Sequence, residues 1–155
     1  MSDNKTPSTA SISLTSSTKI SSANTRPSSP TSIIRKSFKG AAYMNIAGEL
    51  EVHAKQELGH AFTLSFSIDN LGGMPAATNK HVKTSDKATD MLRFDLENEK
   101  ETIRNDRRRV QQADELDEFA LGEDIHEILR DQQDALNALA TALGKNTPDP
   151  GVTDA

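Results

Sequence analysis

The sequence contains no cysteine and no tryptophan, and only one tyrosine, in 155 residues. Without cysteine there can be no disulfide, no zinc–thiolate or iron–sulfur site and no cysteine nucleophile. Any metal would have to be held by His, Asp and Glu, a donor set that favours iron, manganese or zinc in oxygen-rich surroundings. The scarcity of aromatic residues speaks against an all-β fold. No apolar run approaches the roughly 18 residues needed to cross a membrane, and no signal-peptide core is visible, so a cytoplasmic protein without membrane contact is expected. A net charge of −5 gives no ground for nucleic acid as the main partner. The length suits one domain.

What is present divides into segments of different physics. Over half of residues 1–32 are Ser or Thr, with Pro7, Pro27 and Pro30 among them. Such a stretch has almost nothing to bury, and residues 1–38 are expected to form a disordered basic tail. Asp3 is the only carboxylate before Glu49, against Lys5, Lys19, Arg26, Arg35, Lys36 and Lys39. Organelle transit peptides use this composition, and so do plain solvated tails. Residues 39–145 are expected to be helical, and residues 146–155 to form a polar, frayed tail.

Three helices are predicted. The first runs from about Lys39 to Asn70, stopped by Gly72-Gly73 and Pro75. Ile46, Leu50, His53, Glu57, His60, Leu64 and Ile68 recur on it every three or four residues and share a face. The second follows the capping residues Thr84-Ser85-Asp86-Lys87 and runs to about Ala113, with Leu92, Leu96, Glu99, Ile103, Asp106 and Val110 inside. The third begins near Asp114 and ends at Gly144, burying Leu121, Ile125, Ile128, Gln132, Leu136, Leu139 and Leu143. At about 1.5 Å per residue each helix would be about 45 Å long, which is helical-bundle material.

Two inner faces carry chemistry. Glu57 and His60 form an E-x-x-H pair in the middle of the first face, one turn apart, so both could reach one ion. Glu99 sits near the middle of the second. Two buried carboxylates and an imidazole at similar depth would be strongly destabilising without a cation between them. The bland readings are that Glu99 turns toward Arg104, Arg107 or a neighbouring chain, and that His53 is an ordinary buried histidine. Glu123 and His126 form a second E-x-x-H, but on the solvent side of the third helix. The run Arg107-Arg108-Arg109 reads as a solvated face.

The run Gly48-Glu-Leu-Glu-Val-His-Ala-Lys-Gln-Glu-Leu-Gly-His60 is similar to the second helix of bacterioferritins and related ferritin-like di-iron proteins. Ile68-Asp-Asn-Leu-Gly-Gly-Met-Pro75 looks like the loop that follows, and Met91-Leu-Arg-Phe-Asp-Leu-Glu-Asn-Glu99 resembles their third helix. Glu127-Ile-Leu-Arg-Asp131 resembles the approach to their fourth-helix metal motif. The likeness covers about Tyr43 to Gly144. It implies an all-α, ferritin-like helical bundle concerned with iron storage and detoxification, in which Glu57 bridges two irons, His60 binds one and Glu99 is a carboxylate ligand.

The departures from that pattern are as telling. Gln132 stands where the resemblance implies Glu, and Ala135 where it implies His. The Ser/Thr/Pro segment stands in place of the family's first helix. Leu58 aligns with the family's haem-binding methionine, so no haem is expected. The expected cofactor is therefore iron, one or two ions weakly held by Glu57, His60 and Glu99, with Gln132 and His53 as secondary ligands and ferroxidase turnover slow or absent. The open groove left by a missing helix invites a homo-oligomer or an intact ferritin-like partner. The competing expectations are a non-catalytic helical subunit that co-assembles with such a partner, and a DNA-protecting particle with a basic arm.

Overall fold

The computed structural model describes residues 38, 40–74 and 83–151. The expected basic tail, residues 1–38, therefore lies outside the described residues except for Phe38, and so do residues 39, 75–82 and 152–155. The described residues form a short 3-10 turn, Ala41–Tyr43, and three long helices: α1 (Met44–Asn70), α2 (Ala88–Glu115) and α3 (Phe119–Ala142). No strand occurs among the described residues, as an all-α chain requires.

The predicted inner faces are the ones that pack. Ile46, Leu50, Leu64 and Ile68 of α1 are buried. On α2 all six predicted positions are buried, including Glu99 and Asp106. On α3 the inner face from Leu121 through Leu139 is buried and Leu143 is partly so. Glu123 and His126 are exposed, as expected. α3 is the central element: it packs along α2 and, less extensively, along α1, whereas α1 and α2 make few close backbone approaches. Phe38 is buried in the cluster that contains Ile46, Leu50 and Leu92, its ring edge-on to Tyr43 at 5.9 Å between centroids.

The helix ends differ from expectation in instructive ways. α1 begins at Met44 rather than near Lys39, after the 3-10 turn. It stops as predicted: Gly72 takes φ 73°, and the Gly73 N–H closes on the Ile68 carbonyl at 2.9 Å. A Cβ on Gly73 would meet Ile68 Cγ2 at 2.9 Å, so only glycine fits there. At α2 the residue immediately before the helix is Lys87, and Ser85 supports the start from further back. Its hydroxyl accepts from the Lys87 N–H at 3.1 Å and donates to Asp90, the acidic residue of the first turn.

Between α2 and α3 the apolar spacing runs on, but the helix breaks at residues 116–118, so α3 starts at Phe119 rather than near Asp114. Asp117 adopts the left-handed φ of 59°, while the Glu118 N–H bonds the Ala113 carbonyl at 2.9 Å. That is the hydrogen-bond pattern of a glycine-terminated helix, made with an aspartate. Asp117→Gly is accordingly expected to stabilise the protein by up to about 1 kcal/mol, by relieving the left-handed strain, in urea denaturation.

Two features lie outside the core. Leu58, Phe62 and Phe66 form an exposed apolar stripe on α1 at four-residue spacing, both phenylalanines 68% exposed. Beyond α3, Pro150 is buried and Arg107 donates to the Gly151 carbonyl at 3.1 Å, so residues 149–151 lie against α2. No helix among the described residues is long and apolar enough to cross a membrane.

Candidate metal centre

The buried apolar side chains form two clusters. One contains Leu50, Leu96, Ile103 and Leu136; the other contains Leu64, Val110, Ile125 and Ile128. Polar residues fall between them along each helix: His53, Glu57 and His60 on α1, Asp106 on α2 and Gln132 on α3, with Glu99 one turn before Ile103. Four of the polar residues are nearly inaccessible, Glu99 at 5%, Asp106 at 2%, Arg109 at 6% and Gln132 at 2% exposure. Removing so many polar groups from water costs several kcal/mol unless each finds a partner.

The partners fall into three groups. On the first side of Glu57, His53 Nε2 lies 3.3 Å from Glu99 Oε1 across the bundle and 4.0 Å from Glu57 Oε1 on its own helix. These three residues each offer a ligand atom within 4.8 Å of the other two. On the second side, His60 Nδ1 is 3.2 Å from Glu57 Oε1, and its Nε2 is 3.0 Å from Asp131 Oδ2 of α3. In the third group the Arg109 guanidinium donates to the Asp106 carboxylate one turn earlier on α2, and Gln132 also hydrogen-bonds Asp106.

Two oxygen acceptors remain without a hydrogen-bond partner although buried: Glu99 Oε2 and Gln132 Oε1. Buried acceptors are normally satisfied by a donor, an ordered water or a cation. Beside this layer a cleft of about 190 Å³ opens between α1 and α3, lined in part by His53, Gln56, Asp131, Asp134 and Ala135.

Of the ligands expected from sequence, Glu57, His60, Glu99 and the secondary residues His53 and Gln132 all fall in this polar layer. Glu57 is the hub, touching both histidines; Glu99 meets His53 rather than His60. Two residues were missed. Asp131 reaches His60 from α3, and Arg109 is buried, which corrects the reading of residues 107–109 as a solvated face. Consecutive helical residues point about 100° apart, so a run of three spans about 200° and its last member can turn inward. An inward Asp106 three residues before Arg109 was the available signal.

Burial opposes the charged form of His60, but the hydrogen bonds and charges of Glu57 and Asp131 outweigh it and raise its pKa above the ordinary value. The charged imidazole is thus favoured more in the folded than in the unfolded chain. Its contribution to stability is fully present below about pH 6.5 and is lost as pH rises through the higher folded value. Metal-free protein is expected to lose stability as pH rises above about 6.5, and Asp131→Asn to shrink that loss, in urea midpoints measured across the rise. Asp106 is also raised, by desolvation that exceeds the opposing effect of Arg109.

The ferritin-like domain model matches residues 33–147. Among solved structures, the crystal structure of ferritin-like, diiron-carboxylate proteins from Bacillus anthracis str. Ames is similar, with a TM-score of 0.66. That likeness has 24% sequence identity over 73% of this chain and 84% of that one, and it bears on the fold. No curated protein matches the sequence.

Proposed function

From the premise that the chain belongs to the ferritin-like domain family, we propose that it binds iron in the polar layer between its two apolar clusters and serves in iron storage or detoxification. The observation that carries this reading is the pair of buried, unsatisfied acceptors, Glu99 Oε2 and Gln132 Oε1, in a layer already holding Glu57 and two histidines. Oxygen-rich donors with imidazole suit iron, and a cation would satisfy the acceptors that no donor reaches.

The residues present fit such an ion, with a clear bias among the helices. Glu57 and Glu99 would hold it and offset its charge. His60 would present Nδ1, because its Nε2 is already turned to Asp131, the kind of carboxylate–imidazole support that fixes a metal-binding ring. α3 offers only the neutral amide of Gln132 and the methyl group of Ala135 at the two positions expected to ligate. Residues 4–48 contain no carboxylate at all. Bound iron supplies the Fe²⁺/Fe³⁺ couple for oxidation by dioxygen or peroxide; a donor set this short in carboxylates holds one ion better than two. The protein is therefore an iron binder related to bacterioferritins with an incomplete di-iron site and impaired ferroxidase turnover.

The test is anaerobic Fe²⁺ titration by calorimetry, followed by admission of air. Binding is expected to saturate near about one ion per chain, since the anionic and imidazole donors suffice for about one coordination sphere. Ferric absorbance is expected to develop slowly. No uptake would sink the iron reading, and two tight equivalents with rapid oxidation would sink the incomplete site.

A second reading, a non-catalytic subunit that self-associates or co-assembles with an intact ferritin-like partner, is favoured by the Leu58, Phe62 and Phe66 stripe. It requires a complex in sedimentation that Phe62→Ser and Phe66→Ser disperse, and stability indifferent to chelators.

A further inference from the structure

We propose that His53 supplies the imidazole ligand on the Glu99 side of the centre, reached by small exogenous ligands through the cleft beside Ala135. The proposal rests on the iron-binding reading above. It concerns which element provides the nitrogen, and by what path the site meets solvent.

The geometry selects His53 by a contact between helices rather than by spacing within one. Its Nε2 crosses from α1 to stand 3.3 Å from Glu99 Oε1 on α2, with Glu57 Oε1 at 4.0 Å. Donors sharing one ion at about 2.0–2.2 Å lie about 3–4 Å apart, so the observed separations, all within 4.8 Å, need only small side-chain adjustment. The second oxygen of Glu99, buried and without a donor, belongs to the same carboxylate and gives the grouping an unsatisfied acceptor. His60 is set up differently: both of its ring nitrogens are engaged, by Glu57 and by Asp131. The two histidines thus flank Glu57, one a turn before it and one a turn after.

α3 leaves the space for this arrangement. Ala135 lines the same cleft as His53, and its methyl group contributes neither a donor nor much bulk. A histidine on that wall would compete for the room; with alanine there, the ring from α1 is the available imidazole. The cleft's volume of about 190 Å³ admits a five-membered ring, so a free imidazole can approach where the His53 side chain stands. Its walls also carry Glu49, Asp131 and Asp134, which favour cations.

The test uses the full chain with Co²⁺ as a spectroscopic stand-in for Fe²⁺, under nitrogen. Wild type is expected to bind Co²⁺ with ligand-field bands of mixed nitrogen and oxygen coordination. His53→Ala and His53→Gln, at native helix content by circular dichroism, are expected to bind about 10- to 100-fold more weakly. Millimolar imidazole should restore affinity and the original bands to His53→Ala, and enlarging the cleft wall with Ala135→Leu in the same chain should abolish that rescue. A packing role for His53 would not be rescued in a metal-dependent way. Unchanged Co²⁺ affinity and spectrum in both His53 variants, or loss that imidazole does not restore in the folded alanine variant, would overturn the assignment. Rescue that persists with Ala135→Leu would overturn the route. If wild type takes up no Co²⁺ or Fe²⁺, the iron-binding reading itself falls, and this inference with it.

Discussion

Truncating Asp106 to alanine is expected to destabilise the protein by about 3–5 kcal/mol, the loss typical of removing one member of a buried ion pair. Both partners of this pair are nearly inaccessible, and the Arg109 guanidinium donates directly to the carboxylate. Arginine cannot relieve its position by losing a proton, since its pKa lies far above any working pH. Aspartate can relieve its own. Burial already pushes the Asp106 carboxyl upward despite its cationic neighbour, so Arg109→Met leaves a group able to become neutral. Asp106→Ala should therefore cost clearly more than Arg109→Met, and the double replacement Asp106→Leu with Arg109→Met should cost less than Asp106→Ala alone. Urea denaturation of the three variants reads this out. Equal costs for the two single changes would show that the guanidinium is held by other partners as firmly as by Asp106.

Anaerobic Fe²⁺ is expected to raise the thermal midpoint by about 10 °C or more once free metal reaches about 100 times its dissociation constant. Binding to the folded state alone contributes about 2.7 kcal/mol at that ratio, and a bundle of this size gains about 4–8 °C per kcal/mol. Glu99→Leu should abolish the shift. In metal-free protein the same change should be close to neutral or mildly stabilising, because it removes a buried carboxylate with one oxygen unsatisfied. Opposite signs with and without metal would separate a ligand from a structural residue. A Glu99→Leu variant that is strongly destabilised without metal, or that keeps its Fe²⁺ shift, would remove Glu99 from the site.

The helix faces could be read from the chain because burial repeats with the helical period, and a carboxylate on an apolar face, such as Glu99, announces itself. Gln132 was equally visible as the polar member of α3's inner row. What could not be read was pairing between helices. His53 stands one turn before Glu57 whether it is an ordinary buried histidine or a ligand, and only the approach of Glu99 from α2 distinguishes the two. Asp131 sits next to the inward Gln132, and its contact with His60 depends on how α1 and α3 are set against each other. The break before α3 was placed about five residues early, because Asp117, not glycine, takes the left-handed conformation that ends α2.

The way the helices share their contacts has a consequence for how the protein comes together. α2 and α3 are consecutive, joined by the short turn at residues 116–118, and hold most of the packing; α1 is secured chiefly through α3. Contacts near in sequence tend to close first because their loops cost least entropy, so the α2–α3 hairpin is expected to precede the docking of α1. His53, Glu57 and His60 all ride on α1, whereas Glu99 waits on α2. The candidate centre thus comes into existence only at the last step of folding, and an ion captured there would act as the latch on an almost finished bundle, making metal uptake and final assembly a single event.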